Sequence, residues 1–409
     1  MIDPSLSYVE QLRRRADSIA TICVHGGEAP DQDGALDPPI VLSSAFAFTS
    51  AEQAARAFRG EEDAWIYGRW GNPTVDALEA KLAAIEGAEA ACATASGMAA
   101  IAGVVLGTCE AGDHVVAPRS MYAESARLLR ERLPKLGITT TFVDGTPEAY
   151  AAAVTSRTRL LYVETPSNPT LGVVDIAAVA ALARSLDGRR PLVVVDGTFA
   201  TPFAQSPLAL GADLVVHSMT KGISGHGDVI GGAVMGARAL VDTARELIVK
   251  GFGGVLSPLS AWLVARGLRT FALRQERACA NAAALAAHLA THPRVAVVHH
   301  PSLASHPGHA LATRQMHAYG ALLSFELRSS LAGEALEAGR KVLETLKLAT
   351  HAVSLGDVRT LVVHPASTTH STMPAETRLL ANISDGLLRV SCGIESAADL
   401  ISDLDRALL

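Results

Sequence analysis

Between about Gly87 and Gly236, short apolar runs alternate with Ala-rich stretches of helical pattern, and this alternation limits the fold more than any other feature of the chain. Seven runs occur, at 88–94, 114–117, 139–143, 160–164, 192–196, 214–218 and 232–235. Runs this short and this apolar read as strands buried on both faces. Strands alternating with helices need crossover connections, which imply a largely parallel sheet covered by helices. The expectation is an α/β large domain with a mostly parallel seven-stranded sheet. Ligands then belong at the carboxyl ends of the strands. Three polar clusters fall at such ends: 165–170, 196–198 and 218–221. With 49% hydrophobic but only 4% aromatic residues, the core is mostly Ala, Val and Leu, as close helix-on-sheet packing requires.

The rhythm breaks around Gly251-Phe252-Gly253-Gly254 and Ser257-Pro258. A long helical stretch over 259–290 and new strands near 295–299 and 321–327 follow, so residues 256–409 read as a smaller C-terminal α/β domain behind a large domain at 61–255. Residues 1–60 carry Gly and Pro without a sustained period and read as an extended arm that serves a neighbouring subunit. A net charge of −6 on 409 residues gives no electrostatic case for nucleic acid or a membrane surface, and Arg13-Arg14-Arg15 reads as a solvated helix face. The five cysteines are scattered and never form a CxxC pair, which suits reduced thiols in a cytoplasmic protein and argues against a structural metal site. No secretory pattern opens the chain, and the longest apolar stretches, such as 98–106, fall far short of the ~20 residues that span a bilayer.

Lys221 closes the run His217-Ser218-Met219-Thr220-Lys221 after a buried strand, and Asp196 stands at the tip of a second one twenty-five positions upstream. A free lysine has a pKa of roughly 10.4. Held among apolar neighbours where strands end, it can form a Schiff base with pyridoxal phosphate. A lone carboxylate suits that cofactor's ring nitrogen, because holding the nitrogen protonated makes the ring an electron sink. Taken singly, such a lysine is more often a solvated loop charge, and such an aspartate a turn former or helix cap. The pairing is what distinguishes them, with Ser218 and Thr220 at alternate positions beside the lysine and able to aim two hydroxyls at one phosphate.

Ser96-Gly97-Met98 joins the first strand to an apolar helix. It is either a plain helix cap or an anion site, since free N–H groups and the positive dipole of a helix N-terminus bind phosphate. No GxxxxGK[ST] is present, and neither Gly225-His226-Gly227 nor Gly251-Phe252-Gly253 continues into a dinucleotide fingerprint.

With these residues in place, the chain resembles the pyridoxal-phosphate enzymes of cysteine and methionine metabolism, the trans-sulfuration family, from about Val24-His25-Gly26 to the C-terminus. The matching segments include Tyr67-Gly68-Arg69, Gly71-Asn72-Pro73-Thr74, Glu164-Thr165-Pro166-Ser167-Asn168-Pro169, Asp196-Gly197-Thr198, Val353-Ser354-Leu355-Gly356, His364-Pro365-Ala366-Ser367 and Leu388-Arg389-Val390-Ser391. The resemblance implies the type I fold of PLP-dependent transferases, like that of aspartate aminotransferase. It implies pyridoxal 5'-phosphate as cofactor and a homotetramer, a dimer of dimers with shared active sites. It also implies roles: Lys221 as the amine that holds the cofactor and moves the α-proton, Asp196 on the ring nitrogen, and Tyr122 stacked on the ring and protonating the leaving thiolate. Gly97, Met98, Ser218 and Thr220 would bind the phosphate, joined by Tyr67 and Arg69 of the adjacent subunit. Arg389, assisted by Ser354 and Asn168, would clamp the substrate carboxylate.

Departures from the family pattern narrow the substrate. Where cystathionine-handling members commonly carry Glu before Ser-Leu-Gly, this chain has Val353, which leaves no acceptor for a distal ammonium and favours an apolar thioether. Two residues after Tyr122, where methionine-cleaving members typically carry Cys, it has Glu124, and Gly222 stands where an aromatic usually follows the lysine. The expected activity is γ-elimination of L-methionine or a related sulfur amino acid to a thiol, ammonia and 2-oxobutyrate. The alternatives are γ-replacement on an acylated homoserine, a cystathionine-type reaction, and a scaffold that has kept the fold.

Overall fold

In the computed structural model, which describes residues 1–3, 5–27, 34–328, 334–371, 375–380 and 382–409, two sheets organise the chain. The larger has seven strands: β1 (Ala90–Thr94), β2 (His114–Pro118), β3 (Thr139–Val143), β4 (Thr158–Glu164), β5 (Leu192–Asp196), β6 (Leu214–Ser218) and β7 (Gly232–Gly236). Their order is β1-β7-β6-β5-β4-β2-β3, with β7 antiparallel to both neighbours and every other pairing parallel. The expected mostly parallel sheet is present, and β7 is the one strand that runs against it.

The central strands are apolar throughout because both of their faces are covered. Successive side chains of β4 and β5 enter opposite cores, as the pleat dictates. Leu160, Tyr162 and Val194 pack with the helix Gly97–Thr108, whereas Leu161, Val163, Val193 and Val195 pack with the helix Ile176–Ser185. Since β1, β4, β5 and β6 run the same way, Thr94, Glu164, Asp196 and Ser218 all end at one edge of the sheet.

The second sheet has the order β10-β11-β12-β9-β8, built from β8 (Val295–His299), β9 (Leu322–Leu327), β10 (Thr350–His351), β11 (Leu361–Val363) and β12 (Leu387–Ser391). The helices Phe271–Leu289 and Ala397–Ala407 cover it through Leu285, Leu289, Leu400 and Leu404. The helical stretch expected over 259–290 is two helices, Pro258–Leu268 and Phe271–Leu289. It breaks because the Gly267 carbonyl accepts from the Thr270 N–H at 3.3 Å and from the buried Arg274 guanidinium at 2.9 Å, which displaces the next helical bond.

Within the segment read as an extended arm, Tyr8–His25 forms a helix of 18 residues. Ser7 caps it in a capping box with Glu10, and Leu12, Ala16, Ile19 and Cys23 bury one stripe against Phe271 and Cys279 of the same chain. Residues 4 and 28–33 of that arm lie outside the described residues. Arg15 is not the solvated charge expected of it: its guanidinium donates to the carbonyls of Phe203 at 2.9 Å and Pro202 at 2.6 Å. All five cysteines are free and buried. No helix among the described residues is long and apolar enough to cross a membrane, and no group of metal-binding side chains occurs among them.

Candidate active site

The ends of β1, β4, β5 and β6 meet the loops of the second sheet around a cavity of about 330 Å³. Ten of the twelve residues singled out from the sequence line it, and Tyr67 and Arg69 do not. Tyr67 is 42% exposed, and the Arg69 guanidinium lies 5.4 Å from the centre of its ring and donates to the Lys250 carbonyl. The chain does not bring these two into its own cavity.

Lys221 is held by the turn that leaves β6, in which its N–H donates to the Ser218 carbonyl at 3.2 Å and the fully buried Met219 side chain anchors the loop. Its Nζ donates to Ser354 Oγ at 3.2 Å. Burial, and then the charge of Arg389, lower its pKa from the usual lysine range, which favours the neutral amine. Asp196 is fixed through both oxygens: Oδ1 accepts from the Thr198 N–H at 3.0 Å and Oδ2 from the Tyr162 hydroxyl at 3.3 Å. A carboxylate so held is oriented without being neutralised by a basic side chain.

After β1, Ser96 caps the helix Gly97–Thr108, its Oγ accepting from the Ala99 N–H at 3.1 Å and its carbonyl from Ala100 at 3.1 Å. The other donors of the first turn are those of Gly97 and Met98, both at the cavity wall. Gly97 approaches β6 so closely that a Cβ there would sit 2.9 Å from Ser218 Cβ. Thr220 also lines the cavity, but its hydroxyl is engaged with Gly231, accepting from the N–H at 3.0 Å and lying 3.3 Å from the carbonyl.

Opposite stands Arg389 of β12, 7% exposed. Its Nη1 donates to Asn168 Oδ1 at 2.9 Å and its Nη2 to the Ser354 carbonyl at 3.1 Å, whereas its buried Nε has no partner among the described residues. Burial lowers its pKa to about 10. A desolvated guanidinium with only neutral acceptors and a spare donor is a receptor for a carboxylate. Tyr122, 44% exposed, heads the short helix Ala123–Arg127, and burial followed by Glu124 and Glu164 raises its pKa, so the phenol keeps its proton.

Sequence reasoning gave no role to Glu164, Phe199 or His370, which also line the cavity. Glu164 ends β4 as Asp196 ends β5, so the signal that singled out the aspartate was available for it as well. Burial first, and then the Asp196 charge, push Glu164 up to about 8, against the N–H donors of Tyr122 and Asn168. Val353 is 64% exposed at the rim, and among the described residues the acids of the lining are Glu164 and Asp196 at the strand ends. Glu124 lies outside the lining and pairs with Arg127 at 3.9 Å. Gly222 is buried, and a Cβ there would meet Thr201 Cγ2 at 3.0 Å and Gln275 Nε2 at 3.1 Å.

The donor set fits pyridoxal 5'-phosphate. An amine of lowered pKa, an anchored carboxylate and open N–H groups at a helix N-terminus are the three features that a carbonyl group, a ring nitrogen and a phosphate need.

A family model described as Cys/Met metabolism PLP-dependent enzyme matches residues 20–409. An L-methionine gamma-lyase of Fusobacterium nucleatum subsp. polymorphum is 45% identical over 392 residues, 95% of this chain and 98% of its own. That of Pseudomonas putida is 43% identical, over 95% of this chain and 96% of its own. An O-succinylhomoserine sulfhydrylase of Mycobacterium tuberculosis is 41% identical over 96% of each. Among solved structures, metB from Corynebacterium glutamicum superposes with a TM-score of 0.88 at 37% identity, over 95% of this chain and 97% of that one, so the two share one α/β fold.

Proposed function

The chain belongs to the PLP-dependent enzymes of Cys/Met metabolism, and on that premise we propose that it is a carbon–sulfur lyase that eliminates the γ-substituent of L-methionine or a closely related sulfur amino acid, giving a thiol, ammonia and 2-oxobutyrate. Ser354 carries the reading. Its hydroxyl accepts from Lys221 Nζ at 3.2 Å and its carbonyl accepts from Arg389 Nη2 at 3.1 Å, so the amine that handles the α-carbon and the cation that takes the carboxylate share one residue. Beside it the rim offers the apolar Val353 and, among the described residues, no acid, which suits a thioether better than a substrate with a distal ammonium.

Bound here, pyridoxal 5'-phosphate supplies an electron sink for the charge left when protons depart from the substrate. Gly97, Met98 and Ser218 hold its phosphate, Thr220 joins them by turning its hydroxyl proton from the Gly231 carbonyl, and Asp196 keeps its ring nitrogen protonated. Lys221 Nζ takes the α-proton and returns one later, a task that its lowered pKa favours. Arg389, with Asn168 and Ser354, fixes the carboxylate. Tyr122 covers the ring and, with its proton retained, donates to the departing sulfur.

The enzyme works in the cytoplasm as a homotetramer, a dimer of dimers, in which Tyr67 and Arg69 complete the neighbour's phosphate site. The free buried cysteines and the exposure of Tyr67 support this.

Purified holoenzyme given L-methionine alone is expected to release 2-oxobutyrate and to sediment as a tetramer, and Lys221→Ala is expected to abolish the visible absorption of the bound cofactor. An enzyme silent until an acylated homoserine and a thiol are both added is a γ-replacement enzyme, and the lyase reading fails.

A further inference from the structure

Glu164 and Asp196 are partners in the parallel register of β4 and β5, but only Asp196 has an assigned task. Glu164 is 4% exposed, and no basic side chain pairs with it among the described residues. Each of its oxygens instead accepts one backbone N–H: Oε2 that of Tyr122 at 2.8 Å, and Oε1 that of Asn168 at 3.1 Å. Both donors belong to residues of the cavity wall. Tyr122 begins its helix without a side-chain cap of its own, so this bond fixes the backbone that carries its ring. Asn168 follows β4 in a loop, and its Oδ1 orients Arg389 at 2.9 Å.

We propose that Glu164 is a positioning residue that sets two parts of the site with one side chain: the phenol at the leaving-group side and the Asn168–Arg389 clamp at the carboxylate side. The inference rests on the functional reading above and adds a residue to it. A carboxyl group is suited to this task because each of its oxygens can accept a backbone N–H whether or not the group carries a proton. Glutamine fills the same volume but turns an NH₂ group against one of the two N–H donors, leaving that donor buried without an acceptor. Small displacements of groups that orient a substrate cost rate without unfolding the protein.

The test is a pair of double-mutant cycles on holoenzyme. The first reads the dissociation constant of L-norleucine, which has the amine, the carboxylate and the chain length of the substrate but no sulfur to lose, in wild type, Glu164→Gln, Asn168→Ala and the double variant. The second reads kcat with L-methionine in wild type, Glu164→Gln, Tyr122→Phe and their double. Glu164→Gln is expected to bind norleucine roughly tenfold more weakly and to lose roughly 10- to 100-fold in kcat/KM. In each cycle the double variant is expected to fall short of the product of the single effects, because the substitutions act on one unit. Wild-type norleucine binding and kcat/KM in folded Glu164→Gln overturn the proposal, as do multiplicative effects in either cycle. Should Glu164→Gln fail to fold, the same cycles run with Glu164→Asp, whose shorter arm cannot span both donors, decide by the same outcomes. A wild-type enzyme that binds norleucine but leaves methionine intact sinks the functional reading alone, since the binding cycle still reports on Glu164.

Discussion

Arg389 is the most exacting single residue in the site, because a charged group is buried there with the Asn168 amide and the Ser354 carbonyl as its hydrogen-bond acceptors and the Phe199 ring centre 5.9 Å away. Two nitrogens of a planar fork are spoken for and the buried third has no partner among the described residues, an arrangement that an ammonium cannot reproduce. Arg389→Lys is therefore expected to raise KM for methionine roughly 10- to 100-fold with a smaller loss in kcat. Its cofactor absorption should match wild type, and a steady-state assay beside a spectrum separates the two. An unchanged KM would mean that the substrate carboxylate sits elsewhere. Lys221 and Asp196 were legible in the sequence because each ends a continuous apolar run, where the direction of a parallel strand already aims a side chain at the ligand edge. Arg389 was legible only through family resemblance, since a single arginine in an antiparallel strand carries no such mark. Glu164 shared the strand-end signal, but its part emerges only from the β4–β5 register and from two N–H donors, that of Asn168 in the following loop and that of Tyr122 far back in the sequence. Phe199 and His370 were invisible because their presence at the cavity depends on how loops of different sheets meet.

The elements that shape the phosphate turn are packed to contact. Gly232 opens β7 between Thr94 of β1 and Ser218 of β6, and a Cβ there would lie 2.2 Å from the Ser96 carbonyl oxygen. The obstacle is backbone, so a side chain at 232 must displace the Ser96–Gly97 turn and not merely a rotamer. Overpacking of this kind costs about 1–3 kcal/mol, and part of it should appear as poorer cofactor binding. Gly232→Ala is expected to weaken pyridoxal 5'-phosphate roughly tenfold when apoenzyme is titrated with it. Equal affinity in variant and wild type would show that the helix Gly97–Thr108 does not cradle the phosphate. Among elements, the strands of the large sheet were readable because burial on both faces writes an unbroken apolar run. The helix Tyr8–His25 was read only as a solvated face at Arg13-Arg14-Arg15, although Ser7-x-x-Glu10 is a capping box and Leu12, Ala16, Ile19 and Cys23 keep a helical period. The small and polar residues between them masked that stripe. In the second sheet β8 and β9 were expected, whereas β10 and β11 have only 2 and 3 residues and are too short to leave a pattern.

At the scale of the molecule, residues 300–321 tie the second sheet to the rest, and histidines gather there. Tyr319 lies within 6.4 Å of His300, 5.8 Å of His309 and 5.1 Å of Tyr8, ring centre to ring centre, and its N–H donates to the Tyr8 hydroxyl oxygen at 3.0 Å. Ala312, Met316, Ala318 and Tyr319 share one core with Leu12, Ile19 and Phe271. Nearby, the His317 ring is 2.7 Å from the terminal amine of Met1, and the His317 backbone N–H donates to the Ala204 carbonyl at 2.7 Å. His300, His306 and His317 each have a pKa lowered to about 4, in every case chiefly by burial. The folded chain thus holds these rings neutral at a pH where the unfolded chain, with values near 6.5, binds protons. Their contribution is complete above about pH 6.5 and is lost as the pH falls from there toward 4. For the buried His300 and His306 the loss amounts to on the order of 2 kcal/mol each at pH 5. The urea midpoint is therefore expected to drop clearly between pH 7.5 and pH 5, with His300→Gln flattening part of that slope because glutamine does not titrate. The sequence shows the histidines but not the effect, since five of them between 299 and 317 look like an exposed polar loop until the fold closes over them. Equal midpoints at the two pH values would mean that these rings reach solvent, and the tie between the sheets would then not be what acid unfastens.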